Sequence, residues 1–318
     1  LFTASAYCLA IFLAVLSVWL AGKGRVRWLL GAVALALAMG TYQAYTTVAI
    51  ALSLLVVLGR VLDKGSSFRD TLNLGLHLVG YLPVGAVLYY VILLVFLKVK
   101  DQELLSYLGL HAAAEGCPFL QLPSLILECY KQAIAFFFFP GSANGFANWF
   151  LVLLNLFALA LGLSALWAGF SQRGLFSEKW RPIGALALLA LLPLGMNFMQ
   201  VLSPYSAPTP LMKYAFVSVY LLVFLALDRA DTLEHLGKLR LLLPAGAVWC
   251  ALLLLFCLNT NNLLYTASAQ AHRATESYAT RLLGRIESCE GYEPGMEIAI
   301  VGAVPADQIQ SDIPSYLQ

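Results

Sequence analysis

Charge is scarce in this chain. Only 11% of its 318 residues are Asp, Glu, Lys or Arg, against about 25% in ordinary soluble domains. Histidine is scarcer, at four residues, and the six cysteines show no metal-ligand spacing. There is no nucleotide-binding fingerprint and no Ser-His-Asp signal, and Gly22-Lys-Gly24 and Pro140-Gly141 are turns that do not cradle phosphate. The net charge of +2 comes from basic clusters confined to loops. A phosphate-backbone footprint would form a stripe, so no nucleic-acid partner is expected.

What is abundant is apolar surface: 61% of residues are hydrophobic and mean hydropathy is +0.81. It is arranged in long runs, such as Ala6–Gly22, Asn73–Leu97 and Ala147–Gly169. Each approaches the roughly 20 residues that cross a bilayer as a helix. The chain reads as an all-α polytopic membrane protein with spans at 6–22, 28–41, 44–60, 74–97, 147–169, 184–202, 211–227 and 241–258. Trp28 to Leu62 is one apolar stretch of about 35 residues, about 50 Å as a single helix. That exceeds a hydrocarbon core of about 30 Å, so two helices turning at Gly40-Thr-Tyr-Gln43 are predicted.

Basic residues test the layout. Lys23, Arg25, Arg27, Lys64, Arg69, Arg173, Lys179, Arg181, Arg229, Lys238 and Arg240 all fall in loops of one parity. The positive-inside rule makes that side cytoplasmic. The loop at 203–210, of the other parity, has no charge. The layout gives a transmembrane domain over 1–258 and an extracytoplasmic segment over 259–318. In that segment Tyr278, Leu282, Leu283 and Ile286 share a helix face, and Glu297-Ile-Ala-Ile-Val-Gly302 reads as a strand, together a small α/β unit. The outer loop 98–146 is expected to hold an amphipathic surface helix near 101–111 and a re-entrant or interfacial helix over 123–139. A Cys117–Cys129 disulfide is one option on that side. The chain opens at Leu1 inside apolar sequence, with no basic leader and no cleavage site, and reads as a segment of a longer protein.

The spans hold no Asp or Glu, the usual mark of an ion or proton relay. Polar residues gather instead at the outer ends: Tyr42, Gln43 and Tyr45, then Asn197 and Gln200, then Lys213 and Tyr214, then His272 and Arg273. Converging, they would form an outward cleft with cations above an apolar floor, suited to a lipid-linked phosphate. Each has a plainer reading. Interfacial tyrosines anchor, Lys213 can snorkel, and Arg273, Arg281 and Arg285 can pair with Glu276 and Glu287 along a helix. Glu103, Glu115 and Glu128 are the outer carboxylates available as a base, or else a solvated helix face.

Three segments carry a resemblance: Gly40-Thr-Tyr-Gln-Ala-Tyr45, then Leu211-Met-Lys-Tyr214, then Arg281-Leu-Leu-Gly-Arg-Ile-Glu287 followed by Gly291-Tyr292 and Ile298-Ala-Ile-Val-Gly302. In this order they resemble the bacterial serotype-converting O-antigen glucosyltransferases of the Gtr type II family. The resemblance implies a GT-C type helical fold in the cytoplasmic membrane with its active face outward. It implies a polyprenyl-phosphate-linked glucose as donor and a cell-surface glycan as acceptor. No cofactor is expected, because such a donor brings no nucleotide. In enzymes of that type an acidic residue of the first outer loop serves as base; that loop is expected upstream of Leu1, so no catalytic residue is assigned. Lys213 and Arg273 are the expected phosphate partners, with Tyr42, Gln43, Tyr45 and Tyr214 shaping the sugar pocket. The competing readings are a transporter or flippase of lipid-linked saccharides, which needs a polar path through the spans, and a non-catalytic membrane subunit.

Overall fold

The structure is a computed structural model and describes residues 4–101, 121–139, 149–202, 210–231 and 241–297. Those residues form ten α-helices, joined by three 3-10 turns at Gln43–Tyr45, Leu175–Ser177 and Pro210–Val217. The first four α-helices are α1 (Ala4–Ala21), α2 (Arg25–Thr41), α3 (Thr46–Val61) and α4 (Phe68–Lys100). Then come α5 (Leu122–Phe138), α6 (Trp149–Gln172), α7 (Trp180–Met196), α8 (Phe198–Leu202), α9 (Ser218–Asp231) and α10 (Leu242–Glu287).

Among the described residues six helical stretches are long and apolar enough to cross a membrane: Ala4–Ala21, Gln43–Val61, Phe68–Lys100, Trp149–Gln172, Leu211–Arg229 and Leu242–Glu287. The apolar helices Val26–Thr41 and Trp180–Met196 are shorter. Among the described residues the expected count of eight is therefore not supported. The long stretch from Trp28 does break where the glycine and tyrosines predicted: α2 ends at Thr41, and α3 starts after the Gln43–Tyr45 turn.

Small residues set the packing of the first half. Ala10, Ala14, Ser17 and Ala21 form the buried stripe of α1. It meets α2 so closely that a Cβ on Gly31 would lie 2.7 Å from the Ser17 carbonyl oxygen. Lipid tails are as apolar as leucine, so membrane helices associate through such close contact and not through water exclusion. The polar groups here are satisfied locally. The Ser17 hydroxyl donates to the Ala14 carbonyl (2.7 Å), and the Trp28 indole to the His77 carbonyl (2.8 Å).

The second half packs α6, α9 and α10 around Trp249, which is fully buried and donates to the Leu154 carbonyl at 3.1 Å. Helix α5 leans on this half near one end of the bundle. Phe136 stacks on Phe216 with centroids 4.6 Å apart, and the Phe137 carbonyl accepts from Asn155 Nδ2 at 2.9 Å. The other Asn155 amide atom, Oδ1, accepts from the Tyr220 hydroxyl at 2.8 Å.

Helix α10 runs unbroken from Leu242 to Glu287, across the expected domain boundary at 258. Along its outer part Ala267, Ala271, Ala274, Tyr278, Leu282 and Ile286 form the less exposed stripe, whereas Leu283 is exposed. No strand occurs among the described residues, so the α/β unit is not supported; residues 298–302 of the expected strand lie outside them. Cys129 is a free, buried thiol that donates to the Asn197 carbonyl, so it forms no disulfide with Cys117, which lies outside the described residues. Of the expected surface helix at 101–111, only Asp101 is described, as the left-handed cap of α4.

Candidate functional site

The two ends of the bundle differ in chemistry. At one end the loops are stitched together by buried arginines. Arg181 is 1% exposed. Its Nη1 donates to the carbonyls of Val61 and Asp63, both at 2.8 Å, and its Nη2 to those of Lys64 (3.3 Å) and Ser66 (2.8 Å). Glu178 Oε2 lies 3.0 Å from its Nε. That contact, with the Trp180 indole bond at 2.9 Å, holds the Glu178 carboxyl below the usual carboxylate range. Arg173 donates to the carbonyls of Leu62 and Arg229. Only the planar fork of a guanidinium reaches several carbonyls at once. The loops predicted to share a side, at 61–73, 170–183 and 228–240, are thus in direct contact through Arg173 and Arg181.

The opposite end is aromatic. Tyr42 and Tyr45 flank the turn between α2 and α3, with ring centroids 5.0 Å apart. Tyr7 of α1 meets both edge-on, at 5.1 Å and 6.3 Å. Tyr214, in the turn Pro210–Val217, meets Tyr45 at 5.6 Å and 89°. Edge-to-face contacts of this kind favour a rigid cluster. Tyr45 is fully buried beneath its neighbours, yet its hydroxyl has no hydrogen-bond partner among the described residues. Gln43 is half-buried, and its amide donates to the Tyr89 hydroxyl of α4. Lys213, half-buried, precedes Tyr214 in the same turn. The two turns that meet at Tyr45 and Tyr214 thus carry tyrosines, the Gln43 amide and the Lys213 cation, the groups a sugar phosphate needs: flat apolar contact, hydrogen bonds and charge.

The structure therefore joins Tyr42, Tyr45 and Tyr214 and keeps Gln43 and Lys213 on the elements that carry them. Arg273 is not brought in. The Phe150–Phe256 contact, 6.1 Å between centroids, puts Phe256 level with the start of α6. Arg273 lies 17 residues further along α10, about 25 Å at the helical rise, and is exposed. Its neighbour His272 faces Glu276 at 3.7 Å. Asn197 turns inward instead, donating to the Cys129 carbonyl at 2.9 Å, and so locks α5 against the end of α7. Glu128 accepts from Gln132 at 3.4 Å, while Glu103 and Glu115 lie outside the described residues. Tyr7 was missed in the sequence. The signal was its place in the first turn of an apolar run, at the end that the alternation of spans shares with Tyr42. Among the described residues no group of three His, Cys, Asp or Glu could hold a metal.

Residues 1–227 match the family described as Glucosyl transferase GtrII. The chain belongs to that family. No curated protein and no solved structure matches it. As a GtrII glucosyl transferase family member with several apolar membrane-length helices, it is a multi-pass membrane protein of a glycosyltransferase family. The matched region includes the whole tyrosine cluster, Gln43 and Lys213, and it excludes Arg273.

Proposed function

We propose that this chain is the membrane body of a GT-C type glucosyltransferase. It transfers glucose from a polyprenyl-phosphate-linked donor to a cell-surface glycan, on the outer face of the cytoplasmic membrane. The observation that carries this reading is the tyrosine cluster with its buried, unpartnered Tyr45 hydroxyl in contact with the turn that carries Lys213 and Tyr214, at the end opposite the arginine-bound loops. The positive-inside rule turns those loops to the cytoplasm and the tyrosines outward. Counting the shorter apolar helices α2 and α7 as spans would complete eight, since 17 residues each reach about 25 Å, the short limit for crossing.

In this scheme the lipid tail stays in the bilayer, and the sugar lies against the accessible rings of Tyr42 and Tyr214, above the buried Tyr45, with Gln43 on the adjoining turn. Lys213 meets the phosphate that leaves, and a cation at that point stabilises the charge that develops there. The acceptor hydroxyl needs a base, and none is assigned.

The test is glucose transfer from synthetic polyprenyl-phosphate-glucose to a glycan acceptor in membranes holding this protein. Glucose transfer that falls at least tenfold in Lys213→Ala, with folding intact, supports the reading. Unchanged transfer in that variant removes Lys213 from the site. Movement of the intact lipid-linked sugar between leaflets without transfer would replace the enzyme by a transporter.

A further inference from the structure

Helices α6 and α9 pack through Leu154, Ala158 and Val223, but they do not fill the space they share with α7 and the end of α5. A cleft of about 300 Å³ remains there. It is bounded by α6 from Asn155 to Leu166, by α9 from Val219 to Val223, by Leu189 of α7 and by Phe137 and Phe138 of α5. Asn155 lies six residues after Trp149, and Leu166 six residues before Gln172, so each is about 9 Å from an end of α6. The cleft is thus confined to the middle of a membrane-length helix. Its rim on α6 is Leu159 and Leu163, which are 48% and 57% exposed.

The wall selects the occupant by its chemistry. Two polar side chains line it among the described residues, and both are engaged. The Tyr220 hydroxyl donates to Asn155 Oδ1 at 2.8 Å, and Asn155 Nδ2 donates to the Phe137 carbonyl at 2.9 Å. The other lining residues are Phe, Leu, Val, Ala and Gly. A sugar here would lose its hydration without return, and water needs about two to four polar partners to stay. Size excludes a protein helix, since one turn about 10 Å across takes about 420 Å³. A cavity of about 150 Å³ holds one benzene ring, so this one holds roughly a dozen carbons, the scale of a single hydrocarbon chain. At this depth the bilayer presents phospholipid acyl chains and no head groups, and no charged residue lines the cleft among the described residues.

We propose that this cleft holds one phospholipid acyl chain, which enters sideways over the rim of Leu159 and Leu163 and lies beneath Phe137. The Phe137 ring also meets Phe216 and Tyr220, both at 5.9 Å between centroids. Phe216 belongs to the Pro210–Val217 turn that carries Lys213 and Tyr214, so the chain supports that turn from below. The site does not depend on the glucosyltransferase reading.

The experiment places the protein in phosphatidylcholine nanodiscs with a trace of phosphatidylcholine that carries a diazirine in one acyl chain. After illumination, mass spectrometry reads the labelled residues. The expected result is labelling of Tyr220 and of Val223, which is only 3% exposed and so is reached through the cleft. A phosphatidylglycerol probe of the same chains labels them equally, within twofold. In Gly162→Leu this labelling falls at least tenfold, because the new side chain occupies the cleft. A Cβ there meets Val223 at 3.4 Å, ordinary contact distance. Leu159→Trp narrows the rim from an exposed position that leaves the fold intact, and gives the same loss. Labelling at Val87 and Val95, exposed on α4, stays unchanged in both variants and reports that the protein is folded. Absence of label from Tyr220 and Val223 in the unmodified protein overturns the proposal, as does label retained in both variants. A phosphatidylglycerol preference of fivefold or more overturns it by showing that a head group decides. A diazirine-bearing polyprenyl phosphate that excludes the acyl probe at equal mole fraction overturns it in favour of an isoprenoid chain.

Discussion

Replacing Arg181 by Met is the sharpest perturbation the fold offers. Methionine keeps much of the apolar volume of the arginine stem and removes the guanidinium. Four carbonyls, of Val61, Asp63, Lys64 and Ser66, then lose their donor. Hydrogen bonds to a charged group contribute about 1.5–3 kcal/mol each when they cannot be replaced. This loop lies at the end of the bundle, where water can rescue some carbonyls, so the four bonds do not add in full. Ser66 is buried, and the Val61 and Ser66 bonds are those made where water is excluded. Counting those two gives a loss of about 3–6 kcal/mol, overlapping the roughly 3–5 kcal/mol cost of breaking a buried charged pair. That is a shift in the folding equilibrium of a hundredfold or more. Reversible unfolding in mixed micelles, followed by tryptophan fluorescence, reads the total. Hydrogen exchange over 62–67 reads the loop itself. Arg181→Lys should recover part of the loss, because an ammonium reaches fewer carbonyls than the planar fork. If Arg181→Met unfolds within 0.5 kcal/mol of the unmodified protein, with the 62–67 amides equally protected, the arginine does not hold this end together.

Three more outcomes follow from the geometry. Gly31→Val should destabilise the α1–α2 hairpin by about 1–3 kcal/mol, the usual cost of overpacking, because its Cβ falls 2.7 Å from a backbone oxygen; a thermal midpoint that does not move would contradict the close contact. Asn155→Leu leaves the Phe137 carbonyl and the Tyr220 hydroxyl without their bonds. It should cost about 2 kcal/mol and raise proteolysis near residue 138. Because the Glu178 carboxyl is held below its ordinary range by Arg181 and Trp180, its contribution is present at neutral pH. That contribution is lost as pH falls through the ordinary carboxylate range and below it. Comparing acid unfolding of the unmodified protein with Glu178→Gln isolates the effect: the two curves should differ at pH 7 and converge near pH 2, and curves parallel throughout would exclude it.

How much of this was legible beforehand depends on which force fixes each feature. The Gly40–Tyr45 turn was readable because bilayer thickness limits helix length, a constraint that works on sequence alone. The sharing of one side by the basic loops was readable for the same kind of reason. The role of Arg181 was not, since loop composition marks a cation without saying that it is buried under four carbonyls. Tyr42, Tyr45 and Tyr214 could be placed at one end by counting spans, but their edge-to-face contacts and the inclusion of Tyr7 are tertiary facts. Arg273 shows the converse. A polar residue just past an apolar run looks near the membrane, yet a helix that does not stop carries it away. The helix continues past 258 because hydropathy falls there while helix propensity does not: Asn259 to Glu287 contains no Pro and only Gly284, so nothing ends α10.

The continuity of α10 has a mechanical consequence. Glu287 lies 31 residues beyond Phe256, a rod of about 46 Å rooted in the bundle through Trp249 and Gly246. Such a rod is a lever with its fulcrum at the Phe150–Phe256 contact. Each degree of tilt in the buried part moves its tip by about 0.8 Å. Whatever the far end of α10 carries is therefore aimed by the packing around Trp249, and a loosened Trp249 would misdirect it without altering a single residue of it.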